Sequence, residues 1–284
     1  IKNDTYIRVK NNPTIVLNSM NWVNGGRFSA DTGKVILSGT LPVSISGDSV
    51  SVFHDLFVNN SSVVNLGQNI GVSNQLFLNG ILNEKNKQIL LGENAAILNE
   101  SEQNRLLDDD GGVGHAVTTR VLNGPVNNLN PANLGVEILA SPALGLVTIT
   151  RYGTAFVKNG SSAGLVKRYY KIQPQNNNGL DASLRFHYFD AELNGVDEQT
   201  AVLWKSSDNG VTWTQVVPTS RDIALNYLQK DNINDLSLWT IGSPISVLPV
   251  FFSSFNSICK NDGVALVWET GQETDADKFV IQKS

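Results

Sequence analysis

"VILSG" at Val35–Gly39, "LFVNN" at Leu56–Asn60 and "LFLNG" at Leu76–Gly80 begin 21 and 20 residues apart. A fourth segment, "AAILNE" at Ala95–Glu100, begins 19 residues after the third. Each is a short apolar run closed by Gly or Asn. Shorter runs lie between them: "VSISG" (43–47), "VVNLG" (63–67), "NIGVS" (69–73) and "QILLG" (88–92). A period near 20 that holds two or three short strands predicts a solenoid, one rung per period. Successive rungs then stack about 4.8 Å apart with strands pairing in parallel. Asn and Gly suit rung corners where φ is positive, and stacked Asn side chains can form amide ladders. The expectation is a right-handed parallel β-helix of about four to five rungs over residues 1–107, its end cap included. An ordinary β-sandwich with a strand every eight to ten residues or so is the competing reading.

"ESEQNRLLDDDGGVGH" (100–115) breaks the period. Its first part suits a short helical cap, and "DDDGG" a turn or linker. Asp108, Asp109 and Asp110 could ligate Ca²⁺. Their spacing matches no calcium motif, so a solvated linker is the adopted reading and no metal site is assigned.

Over 108–243 the strands lengthen and alternate. "GLVTITRYG" (145–153), "VKRYYKIQP" (166–174), "ASLRFHYFD" (182–190), "TAVLWKSSD" (200–208), "TWTQVVP" (212–218) and "LSLWTIG" (236–242) read as half-buried strands. Leu184, Phe186 and Tyr188 share one face; Arg185, His187 and Phe189 share the other. Period-2 patterning of this kind predicts antiparallel sheets with one wet face, here a β-sandwich. "SSDNGVTW" (206–213) matches S-x-D-x-G-x-T-W, the Asp-box turn of sialidases and other propellers. Asp208 can accept amide hydrogen bonds across the turn, Gly210 permits positive φ, and Trp213 can pack beneath. With Ser206 and Thr212 these residues make a structural turn. A propeller would repeat the motif; this chain carries it once.

Composition narrows the function. Charged residues are 17% of the chain, with 33 Asn and 24 Gly, as in a turn-rich β protein. Net charge is −5 and the basic pair Lys167–Arg168 stands alone, so nucleic acid is not an expected partner. No apolar run approaches the ~18 residues of a membrane-spanning helix. The single cysteine, Cys259, excludes an intramolecular disulfide and a cysteine metal site; it reads as a small buried hydrophobe on a strand.

Catalytic groups are sparse. In the repeats the acids are Asp31, Asp48, Asp55, Glu84 and Glu93, at unlike rung positions. His54 adjoins Asp55, but neighbouring strand residues face opposite ways, which argues against a dyad. His115, His187, Asp190 and Glu192 lack a nucleophile context. No catalytic residue and no cofactor is assigned. Trp22, Trp204, Trp213 and Trp239 could stack on sugars but read more naturally as core.

The last stretch, "LPVFFSSFNSICKNDGVALVWETGQETDADKFVIQKS", opens with a linker and then alternates apolar runs with polar turns. Val264–Trp268 and Phe279–Ile281 read as strands around an acidic turn. Together with "VKRYYKIQP", "ASLRFHYFD", the Asp-box and "LSLWTIG", it resembles a recurrent arrangement in large secreted surface proteins of the Bacteroidetes. In those proteins LPV-x-L-x-x-F leads to an apolar strand ending in Trp, a T-x-x-E turn and F-x-I-x-x-S. The matching residues are Leu248–Val250, Phe255, Val264–Trp268, Thr270–Glu273 and Phe279–Ser284. The chain departs at Phe252, where Leu is common, and at Asp275 and Asp277, where Asn is common. The resemblance implies export by the type IX secretion system, a cell-surface or extracellular location, and a further C-terminal sorting domain. The stretch 244–284 then reads as the opening of a fibronectin type III-like domain whose remaining strands follow Ser284 or are supplied by a neighbouring chain through strand addition, and the chain as a piece of something longer. The expected function is non-catalytic: an adhesin, stalk or filament subunit that associates with itself or with other surface proteins. A carbohydrate-binding module for extracellular glycans is the first alternative, and a β-helix polysaccharide-degrading enzyme the second.

Overall fold

The structure, a computed structural model, describes residues 2–157, 162–244, 251–260 and 263–272. It is nearly all β, with a β-solenoid-like arrangement of about 5 turns. Two compact units are present, Ile1–Ser243 and Pro244–Ser284. The expected division at 107/108 falls inside the first unit.

Each rung carries three strands. One sheet stacks Lys2–Asn3, Trp22–Asn24, Val43–Ser46, Val64–Leu66, Leu82–Asn83 and Leu106–Leu107, all in parallel. A second face stacks Tyr6–Arg8, Arg27–Ser29 and the starts of Ser51–Asn60 and Ile70–Leu78, then Gln88–Leu91. A third stacks Thr14–Asn18, Lys34–Gly39, the ends of the same two long strands, and Ala96–Leu98. The long strands turn the corner between the second and third faces.

The sequence repeat is the register of the third face. Val35 opposes Leu56 and Leu56 opposes Leu76, the 21- and 20-residue steps read from the sequence. The third step differs: Ile97 opposes Leu76, 21 residues on, so the strand begins later than the apolar run suggested. A two-residue shift keeps the same side chains facing inward. Val35, Leu56, Leu76 and Ile97 are all at most 2% exposed, a continuous internal column. Their outward neighbours Ile36, Phe57, Phe77 and Leu98 are half-buried. The Phe57 and Phe77 rings stack at 5.0 Å, with Lys34 Nζ 4.3 Å over Phe57.

Polar groups inside the stack are paired across rungs. Trp22, fully buried, meets Phe28 and Phe53 edge-on at 4.7 and 5.5 Å, and its Nε1 donates to Ser51 Oγ (2.9 Å). Asn3 Nδ2 donates to Asn24 Oδ1 (2.8 Å), Asn83 to Asn65 (3.2 Å) and Asn99 to Asn79 (2.6 Å). These are short amide ladders, and they explain why a chain with little charge is so rich in Asn. Asn11, Asn12, Asn86 and Asn99 also take positive φ at corners.

The helical cap expected early in 100–115 does not form there. Over 100–107 the chain bends and then forms Leu106–Leu107, which pairs with Leu82–Asn83. A strand can extend the existing ladder, and an isolated helical turn cannot. The second face is covered differently. His115–Leu122 pairs in parallel with Gln88–Leu91 on one side and antiparallel with Gly145–Tyr152 on the other. The sheet therefore runs on through Leu165–Pro174, Leu238–Gly242, Val202–Ser206 and Thr214–Val216, all antiparallel. A separate five-stranded antiparallel sheet holds Val126–Leu129, Val136–Ala140, Ala182–His187, Tyr227–Ile233 and Ser220–Asp222. Leu184, Phe186 and Tyr188 are buried and Arg185 and His187 half-buried, as the alternation predicts. One apolar cluster joins rung residues such as Leu17 and Leu76 to Phe186, Trp239 and Ile241.

In the second unit Phe251–Lys260 pairs antiparallel with Gly263–Gln272. The partner of Val264–Trp268 is thus the segment before it; Phe279–Ile281 and 248–250 lie outside the described residues. Cys259, expected to be buried, is exposed opposite Val264. Among the described residues this unit is a two-stranded hairpin, and Phe255, Ile258, Val264 and Val267 are exposed with Cys259.

The internal column sets the stability of the stack. Leu56→Ala should lower the free energy of unfolding by about 3 kcal/mol through lost burial and a residual cavity. Phe57→Ala, one residue along on the outer face, should cost about 1 kcal/mol. Urea unfolding of the two variants measures the difference.

Candidate functional site

A groove of about 610 Å³ lies on the second face where the rungs part. Arg27–Ser29 meets the next rung through one register pair, Ser29 with Val52, whereas neighbouring rungs pair over three or more residues. The gap is lined by Arg27, Ser29, Asp31, Val52, His54 and Ser73, among others. Val50 and Val52 are 56% and 49% exposed, giving an apolar floor with a polar rim.

His54 and Asp55 meet here, contrary to the expectation from strand alternation. His54 Nδ1 lies 3.1 Å from Asp55 Oδ1. The cause is a bulge: between the pairs Phe53–Val72 and Asp55–Gln75 the partner strand has two residues, Ser73 and Asn74, against one. The extra residue turns the chain at the corner, and side chains that would diverge on a flat strand converge. Asn74 Nδ2 donates to Asp55 Oδ1 (2.7 Å) and fixes the carboxylate. The His54–Asp55 approach is an ion-pair distance without hydrogen-bond alignment, since the buried Nδ1 has no hydrogen-bond partner. Ser73 Oγ donates to Phe53 O (3.4 Å) and is not aimed at the imidazole. The geometry offers binding groups and no assembled nucleophile.

The other candidate residues are committed elsewhere. His187 Nε2 contacts Glu137 Oε1 (3.0 Å), and Arg185 bonds both Glu137 and Gln229 on the outer face of the five-stranded sheet. His115 Nδ1 contacts Val113 O (2.7 Å) and its ring packs on Tyr152. Glu192 is buried on Arg168 (2.8 Å), and Asp190 accepts from Asn226 (2.8 Å). These four do not form one site. Trp22, Trp204 and Trp239 are at most 5% exposed, and Trp213 is half-buried against Phe156 at 4.8 Å. Trp22, Trp204 and Trp239 therefore offer no free face for a sugar.

Asp108, Asp109 and Asp110 bring their carboxylate oxygens within 4.8 Å of one another. Lys85 Nζ already sits on two of them, 2.6 Å from Asp109 and 2.9 Å from Asp110. Its hydrogen bonds hold the Asp109 carboxyl below the usual range and raise Lys85. Asp108 is buried and accepts the Gly114 amide (2.9 Å). The ammonium pairs two of the three carboxylates, and Asp108 Oδ1 and Oδ2 accept the Asp110 and Gly114 amides, which staple the loop as a turn.

The Asp-box residues come together in the turn between Val202–Ser206 and Thr214–Val216. Ser206 Oγ donates to Asp208 Oδ1 (2.8 Å) and accepts the Gly210 amide (2.8 Å). Asp208 accepts from the Thr212 amide (2.9 Å) and hydroxyl (2.6 Å), and Trp213 Nε1 donates to Gly210 O (3.1 Å). The Thr212 hydroxyl and amide, then the Ser206 hydroxyl, hold the Asp208 carboxyl down to about 2. No protein-family model, curated protein or solved structure matches the chain.

Gly210 has φ +91°, and a Cβ there would lie 2.4 Å from Phe156 Cζ. Gly210→Ala should therefore destabilise by about 1–3 kcal/mol in a denaturant titration. Asp208 is depressed in the folded state, so its contribution is present above the ordinary carboxylate range and lost as pH falls toward 2. Melting temperatures of the wild type and Asp208→Asn, separated at neutral pH, should converge over that window.

Proposed function

We propose that this chain is a non-catalytic structural or adhesion part of a type IX-exported surface protein of the Bacteroidetes kind, acting outside the cell. In this reading the stack is a right-handed parallel β-helix, the hand that parallel crossovers favour. The two antiparallel sheets that follow are a β-sandwich, and the hairpin of the second unit opens a fibronectin type III-like domain. The resemblance of 165–284 to that protein class supports the export route. The observation that carries the mechanical role is the way polar side chains are used. Asn3, Asn24, Asn65, Asn79, Asn83 and Asn99 bond rung to rung, and Asp55, His187 and Glu192 bond to structural partners.

Sheet geometry supports self-association. Among the described residues, Lys2–Asn3, Tyr6–Arg8 and Thr14–Asn18 pair with the next rung on one side only. Such an edge accepts another strand, from residues preceding Ile1 or from a second copy, and a head-to-tail contact between copies propagates when its rotation does not close. The protein should sediment as oligomers whose size grows with concentration, with filaments visible by electron microscopy. A strict monomer at several hundred micromolar, together with cells bearing no filament, would sink this version.

The groove favours a second reading, a glycan-binding module. An apolar floor at Val50 and Val52 beside Arg27, Asp31 and His54 suits a carboxylated saccharide, with Arg27 as the charge partner. Uronate oligomers should bind by calorimetry and Arg27→Ala should abolish the heat. Equal binding by Arg27→Ala, or none by the wild type, removes this reading.

A further inference from the structure

The joint between the rung stack and the antiparallel sheets encloses a carboxyl group that no neighbour pairs. Glu84 follows the strand Leu82–Asn83, its amide bound to Leu107 O (2.8 Å) and its carbonyl to the Lys87 amide (2.8 Å). It is 0% exposed, and neither carboxylate oxygen has a hydrogen-bond partner of good geometry; the Gly153 amide acts on it only weakly, far short of offsetting its burial. Two glycines make room for it. A Cβ on Gly153 would lie 3.0 Å from Glu84 Oε2 and 3.0 Å from the Asp108 amide nitrogen; one on Gly114 would lie 2.8 Å from both Glu84 Cβ and Asp108 Oδ2. The same corner is closed by the Asp108 amide donating to Gly153 O (2.9 Å) and the Gly114 amide donating to Asp108 Oδ2 (2.9 Å).

The surrounding charges leave none to balance Glu84. Arg151 is the nearest cation, but it already holds Glu100 through two hydrogen bonds, 2.5 and 2.8 Å, and also donates to Leu134 O. Arg168 is spent on Glu192. Lys85, next in sequence, reaches outward to Asp109 and Asp110. The remaining neighbours, Asp108 and Glu100, are themselves acidic. Burial raises both Glu84 and Glu100; for Glu100 the paired Arg151 more than reverses it, and for Glu84 nothing does. An uncompensated ion in such a place is costly, and a buried acid avoids that cost by keeping its proton.

We propose that Glu84 is a proton latch: it sits in the folded joint as the uncharged carboxylic acid, and its ionisation frees the Asp108–Gly114 loop from the Gly153 corner. The sign follows from linkage. The folded state holds a proton that the unfolded chain gives up, so the contribution to stability is full below the ordinary carboxylate range. It is lost as pH rises through the folded-state value.

Glu84→Gln keeps the shape without the proton. Thermal unfolding of the full chain between pH 4 and 9 should show nearly equal melting temperatures at pH 4. By pH 9 the wild type should lie about 4 °C or more below the variant. Limited proteolysis of the wild type should cut within 108–114 faster at pH 9 than at pH 6, and Glu84→Gln should remove that difference. Should the variant fold poorly, a carboxyl carbon NMR titration of the wild type tests the same point: Glu84 should titrate above every other carboxyl. Parallel melting curves, or an ordinary titration, overturn the latch. So would stabilisation of the wild type by millimolar CaCl₂ that Glu84→Gln loses, because a cation rather than a proton would then hold the two acids together.

Discussion

The parallel ladder between Gln88–Leu91 and His115–Thr118 fixes how a repeating stack becomes an irregular, antiparallel structure. A stack of parallel rungs ends in a row of unpaired amides and carbonyls, which is both unsatisfied and a template for unwanted pairing. His115–Leu122 satisfies that edge on one side and presents its own edge antiparallel to Gly145–Tyr152 on the other. The direction of the sheet changes within a single strand. All the later strands of the large sheet inherit their position from it.

The charges inside the joint act on the same element. Arg151 lies on the strand that continues the sheet and is 1% exposed, yet it holds Glu100 from the segment that leaves the stack. Arg168 on the next strand holds Glu192, whose other oxygen accepts the Phe189 amide (3.0 Å). Arg151 and Tyr170 both donate to Leu134 O. Gly135 beside it has φ +86°, and a Cβ there would lie 2.6 Å from Arg168 Nη1. Buried pairs are poor evidence of net stability, since desolvation offsets much of their attraction. Removing one partner nonetheless costs about 3–5 kcal/mol. Their effect is to select one docking of 100–107 and 189–192 against the sheet, with Glu102 also accepting the amides of Asp190 and Ala191.

The outer surface of the stack bears on what it can bind. Val16, Ile36, Phe57, Phe77 and Leu98 lie in register up the third face. The Phe57 and Phe77 rings lie face to face and Lys34 covers Phe57, so their π-faces serve each other. Stacking on a sugar needs a free ring face, and both faces of Phe57 are taken. The groove at His54, with its mixed lining, is chemically the better place for a ligand.

The rungs were legible because their information is local and repeated. Inward Val35, Leu56 and Leu76 recur at the step that the register requires, and Asn recurs where corners and amide ladders need it. The alternation of Leu184, Phe186 and Tyr188 and the Asp-box turn were legible for the same reason, each being set by residues adjacent in sequence. Tyr227–Ile233, reading "YLQKDNI", carries no apolar alternation and is a strand only because Ala182–His187 and Ser220–Asp222 flank it. His115–Leu122 takes its role from edges on both sides. The meeting of His54 with Asp55 depends on a bulge in the strand beside them, and the burial of Glu84 on glycines 30 and 69 residues further along the chain. The sequence by itself determined the period, the strand-rich class and the turn chemistry, because backbone geometry and side-chain alternation act within a few residues. Only the tertiary structure decided the union of the two halves in one sheet, the charge pairing at the joint and the unpaired acid within it, because burial and partners are set by segments distant in sequence.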